Sequence, residues 1–239
     1  MIPVTPFPED TASGPFGNAF YFVILIAVSA TMFYFLIKRK SIRIIKALIA
    51  LAMTTASLLL SLVYLSTLLA SVPYSDIIVI ALSITITVLF DLAIFRFTKA
   101  RNAAVICLGG ALGAFFGFSI PLYSAVLILA FLAVYDVIAV YRGPVGKIAQ
   151  SGLDQLSGLS FSFKDIQMGL GDLVFYSMLT GNMFFSFPNS LLPVLMSIIG
   201  ILAGSVITFF MLEKKGIFPG LPFPIMLGLA AGLITGFLL

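Results

Sequence analysis

The sequence predicts an all-α protein, a polytopic bundle of eight transmembrane helices. Three observations lead there. Hydrophobic residues make up 61% of the 239 residues and charged residues only 9%, whereas a soluble domain is about half apolar and about a quarter charged. Eight separate apolar runs are long enough to cross roughly 30 Å of hydrocarbon at about 1.5 Å per residue. Every Lys and Arg falls in alternate connections between those runs or, for Arg96, at the run end beside one.

The runs cover 18–37, 47–72, 77–97, 103–120, 122–141, 166–187, 191–212 and 222–239. Backbone in lipid must satisfy its own hydrogen bonds, so each reads as a helix. Residues 1–17 read as a flexible polar leader. It is acidic and Pro-rich and lacks the basic start of a signal peptide. Lys38, Arg39, Lys40, Arg43 and Lys46 fill the first connection, and Arg96, Lys99 and Arg101 the third. Arg142, Lys147 and Lys164 lie in the fifth, Lys214 and Lys215 in the seventh. By the positive-inside rule both termini lie outside. Gly109, Gly113 and Gly117 share one face of the fourth span, and Gly228, Gly232 and Gly236 one face of the eighth. Such faces let helix backbones approach closely. Pro121 makes the fourth connection very short, which predicts that spans four and five are antiparallel neighbours. The one long connection, 142–165, reads as a solvated or interfacial loop, or else a lid or processing segment near an active site.

What is missing narrows the chemistry. The chain has no histidine, which excludes an HExxH zinc protease, a Ser–His nucleophile and His-bound haem or copper. No metal or other cofactor is expected. The net charge of +4 sits at helix ends and sets topology, so no nucleic-acid partner is implied. Cys107 is the only cysteine and cannot form an internal disulfide. Buried acid–base work must fall to carboxylates, tyrosines or lysines.

Three aspartates lie within spans: Asp91, Asp136 and Asp172. A charge in hydrocarbon costs at least a few kcal/mol, so each needs a partner or a purpose. Asp136 precedes Arg142 by six positions, roughly 9 Å along a helix, and Asp172 follows Asp165 by seven, roughly 10 Å. Their helices are consecutive and joined by one inside loop. Two carboxylates therefore sit at matching depth without a Lys or Arg beside them. Sharing a proton is the cheapest electrostatic solution for such a pair. A pair of this kind can hydrolyse peptides, one acid activating water while the other protonates the carbonyl oxygen. It can equally carry protons in a proton-coupled transporter, or serve as a structural hydrogen bond. Asp91, five residues before Arg96, reads as a bundle hydrogen-bonding group.

Gly169 and Gly171 flank Leu170 just before Asp172. Inside a helix each glycine costs up to about 1 kcal/mol relative to Ala, and here they would admit another backbone to the acid. The last connection, Phe218-Pro219-Gly220-Leu221-Pro222-Phe223-Pro224, carries three prolines in six residues, which predicts no regular helix before about Pro224. Its free backbone groups could pair with an extended chain.

These elements together resemble the presenilin and signal peptide peptidase family of intramembrane aspartyl proteases. Tyr135-Asp136, within 134–140, looks like the family's YD motif. Gly169-Leu170-Gly171-Asp172 looks closely like its GxGD motif. Pro219-Gly220-Leu221-Pro222 looks like its PAL motif, with Gly220 where the family usually has Ala. The resemblance covers about 121–239. It implies that Asp136 and Asp172 are the catalytic pair, that 219–222 helps hold substrate, and that Tyr135, Gly169, Leu170 and Gly171 border the same place. It implies substrates that are single transmembrane helices, unwound locally at the cut. The inside placement of the loop between the two acids fits the presenilin branch. Residues 1–121 then form a four-helix scaffold and 122–239 the catalytic part. Four spans precede the YD helix where the family has five, so the chain is expected to lack the first span. The short loops suggest a prokaryotic, archaeal cell membrane.

Overall fold

Eight helices follow the eight apolar runs in a computed structural model that describes residues 5–8, 13–39, 41–73, 75–142, 160–163 and 166–238. They are α1 (Gly14–Lys38), α2 (Ile42–Leu68), α3 (Ser75–Phe95), α4 (Thr98–Ser119), α5 (Leu122–Tyr141), α6 (Leu170–Ser186), α7 (Leu192–Lys215) and α8 (Pro222–Leu238). Between α5 and α6 lies one antiparallel hairpin, β1 (Ser160–Phe163) paired with β2 (Ile166–Gly169). Most of the long inside connection lies outside the described residues, and with it the choice between loop and lid.

Six of these helices are long and apolar enough to cross a membrane. Helices α6 and α8 have 17 residues each, about 25 Å of rise. Each is preceded by non-helical chain, β2 before α6 and 217–221 before α8. Non-helical backbone at membrane depth survives where protein covers it, and Pro219 and Leu221 are both buried.

Two expectations are corrected here. Run 166–187 is not one helix: 166–169 is a strand and the helix begins at Leu170. Ile166 to Gly169 pair backbone to backbone with 160–163, so their hydrogen bonds are met without helix. Conversely α8 begins at Pro222, not at Pro224. The first four N–H groups of a helix have no intrahelical partner, so prolines in the first turn give up nothing.

The bundle holds two apolar clusters. One gathers Ala19 of α1, Ile128, Leu129 and Leu132 of α5, Met178, Leu179 and Met183 of α6, and Ile225 and Leu229 of α8. The other joins Ile45, Ile49 and Met53 of α2, Ile94 of α3 and Leu108 of α4. Between them α4 lies flush on α6. A Cβ on Gly113 would run into the Val174 carbonyl, and one on Gly117 would lie 2.6 Å from the Met178 carbonyl and 2.7 Å from the Asn182 nitrogen. Only glycine permits that approach. On the far side Gly200 and Gly204 of α7 meet α8 backbone at Leu227 and Pro224 in the same way.

The Pro121 link is as short as expected, two residues between α4 and α5. Yet the two helices are not packed neighbours along their lengths; α4 pairs with α6, and α5 with α1 and α8. The glycine face of α4 decides this, because it matches the backbone of α6. Asn182 of α6 locks the link, its amide donating to the Gly117 and Ile120 carbonyls at 3.0 and 2.7 Å. Part of the leader is also tied down. The Phe7 N–H donates to Asn18 Oδ1 at 2.9 Å, and the Asn18 amide donates to the Phe7 carbonyl and to Ser124 Oγ. A flexible leader is therefore corrected at 5–8, where a buried Asn needs these partners.

Candidate active site

Helix α5 carries Asp136 near its C-terminal end and α6 carries Asp172 in its first turn. The third wall is the non-helical chain before α8. Its Leu221 N–H donates to Asp136 Oδ2 at 3.0 Å, and the Gly220 N–H also faces that carboxylate. The Asp172 carboxyl lies against Gly220 itself. A Cβ built there would stand 2.8 Å from Oδ2 and 3.2 Å from Cγ. Both carboxylates thus meet one dipeptide, Gly220–Leu221. Residue counting put both acids a few residues from one connection; the element on which they meet was not readable that way.

Gly169 and Gly171 sit differently from the expectation of an interior helix. Gly169 is the N-cap of α6, with extended backbone at φ −72° and ψ 145°, and Gly171 is in the first turn. Neither position demands glycine for its backbone. Nor is either crowded: a Cβ on Gly169 would find its nearest neighbour at 3.8 Å, one on Gly171 at 4.0 Å. Among the described residues the space beside the acid stays open. Leu170 turns the other way, its side chain packing on Gly109 and the α2–α4 cluster. Tyr135 is half-buried next to Asp136. The Leu221 side chain joins the core and offers the site only its backbone.

Tyr176 escaped the sequence reading. Its hydroxyl donates to the Gly220 carbonyl at 2.8 Å. The available signal was spacing: Tyr176 is four residues after Asp172 and so on the same helix face. Asp91 stands apart and accepts from the Thr54 hydroxyl at 2.8 Å, which is the bundle hydrogen bond expected of it. Its other oxygen is buried without a partner among the described residues. No cluster of three or more metal-ligating side chains occurs among those residues.

The profile of the family described as "signal-peptide peptidase, presenilin aspartyl protease" matches residues 9–154, more than half of the chain. The chain belongs to this family. It is an intramembrane aspartic endopeptidase of presenilin type and a multi-pass membrane protein. The matched part includes Asp136 but ends before Asp172, so the GxGD-like and PAL-like stretches rest on the fold. The fold aligns with solved structures over nearly the whole chain. A solved structure of a presenilin family intramembrane aspartate protease, in space group C222, superposes with a TM-score of 0.67 at 19% identity. That alignment covers 99% of this chain and 88% of the other. A second, in space group P2, gives 0.66 at 21% identity over 97% and 86%. No curated protein sequence matches the chain. Membership decides for proteolysis over proton-coupled transport, which the carboxylates by themselves had left open.

Proposed function

We propose that Asp136 and Asp172 form the catalytic dyad and that the protein cuts peptide bonds within transmembrane helices. The observation that carries this reading is the convergence of both carboxylates on the Gly220–Leu221 backbone. Two carboxylates held on one dipeptide with no cation beside them are served best by sharing one proton. The ionised acid takes a proton from water, and the oxygen attacks the scissile carbonyl. The protonated acid donates to the carbonyl oxygen. The roles then reverse as the tetrahedral intermediate collapses and the amine leaves.

A helical substrate hides its peptide bonds, so it must unwind at the cut. Extended chain needs hydrogen-bond partners in the membrane. Among the described residues strand β2 pairs with β1 alone, and it ends at Gly169. Its other edge and the backbone of 219–222 offer partners by strand addition. Gly169 and Gly171 leave room for the incoming chain, Tyr135 borders it from α5, and Leu170 anchors the turn on α4. Lipid surrounds the bundle, whose outward faces are apolar, as at Val28, Leu51 and Leu202.

Purified full-length chain in detergent is expected to cleave a single-span peptide, and Asp136→Asn and Asp172→Asn each to abolish cleavage. Wild-type rates in either variant would remove that residue from the dyad.

A further inference from the structure

We infer that Tyr176 is a positioning residue, whose hydroxyl holds the Gly220–Leu221 peptide so that its N–H orients the Asp136 carboxylate. The inference rests on the dyad reading above and deepens it. The Gly220 carbonyl and the Leu221 N–H belong to one peptide unit, and that unit is planar and stiff. Tyr176 grips it at one end, at 2.8 Å. Asp136 Oδ2 accepts from the other end, at 3.0 Å. Force applied to the carbonyl is therefore transmitted to the N–H, and from there to the carboxylate.

The grip comes from the right place. Tyr176 stands one helical turn beyond Asp172, so the helix that presents one acid also clamps the peptide that orients the other. Gly220 completes the contact, because its bare Cα lets the Asp172 carboxyl rest against the same unit. The relative placement of the two acids is thus held through three groups, of which only Tyr176 is neither an acid nor backbone. A plain structural role is the competing explanation, since a half-buried phenol needs a hydrogen-bond partner anyway. The two roles differ in what they do to turnover.

Tyr176→Phe removes one oxygen and keeps the ring. Full-length protein in detergent is assayed on a quenched-fluorescence single-span peptide, with kcat and KM measured separately. Loss of one neutral hydrogen bond predicts a kcat about two- to tenfold lower, at unchanged KM. Asp136→Asn and Asp172→Asn run alongside. A Tyr176→Phe protein with wild-type kcat, or with a change in KM alone, overturns the inference while inactive Asn variants leave the dyad standing. A Tyr176→Phe chain that fails to fold also overturns it, since the phenol would then be holding the bundle. An active Asn variant brings down the dyad reading instead, whatever Tyr176 does.

Discussion

Replacing Gly220 by Ala tests how closely Asp172 is matched to the chain before α8. The new Cβ would stand 2.8 Å from Asp172 Oδ2 and 3.2 Å from Cγ, where ordinary contact begins near 3.4 Å. The carboxyl must withdraw by about half an ångström, which means turning its side chain off its rotamer by up to about 30°, at a cost of ~0.5–1.5 kcal/mol. With about 1.4 kcal/mol per factor of ten in rate, kcat should fall about two- to tenfold. Stability should change little. The same off-rotamer cost weighs on the folded state, but Gly216 is the glycine with positive φ among the described residues, so Ala suits the backbone at 220 and offsets ~0.4–1 kcal/mol of it through the unfolded chain. Cleavage of a single-span peptide gives kcat and KM; thermal unfolding in the same detergent gives the shift. A slower enzyme of nearly unchanged stability is expected. Wild-type or faster turnover would refute the argument, because the Asp172 carboxyl would then not be working from its present position.

Two other outcomes follow from the same contacts. Gly169→Ala meets nothing closer than 3.8 Å among the described residues, so folding should be unaffected; a raised KM in the peptide assay would show that an incoming backbone uses that space, and an unchanged KM would deny it. Asn182→Ala leaves the Gly117 and Ile120 carbonyls without their donor, which costs ~1–3 kcal/mol where no water replaces it; thermal unfolding should show a lower midpoint, with KM little changed.

Much of the site was legible in the chain. Asp136 and Asp172 could be paired because both lie a few residues from the same connection, although the count to Asp172 assumed helical rise through 166–169, which is strand. The path to Asp172 was misread at its start. Ile166, Gln167 and Met168 are too few to show a period, and so short a stretch suits helix and strand alike. Pairing with 160–163 settles it as strand. The prolines at 222 and 224 were read as helix breakers, though in a first turn they cost nothing.

By itself, then, the sequence determined the membrane class, the approximate positions of eight helices and the acids within them. These follow from local quantities: run length, charge placement and spacing. Tertiary structure alone decided which helices touch. Gly113 and Gly117 announce a close contact but carry no address, and α6 rather than the neighbouring α5 fills it. It also decided that Gly220–Leu221, 84 residues beyond Asp136 in the case of Gly220, is the backbone on which both acids meet. A hydrogen bond between groups so far apart in the chain leaves no mark in local composition. It exists only once packing has brought α5, α6 and the start of α8 together.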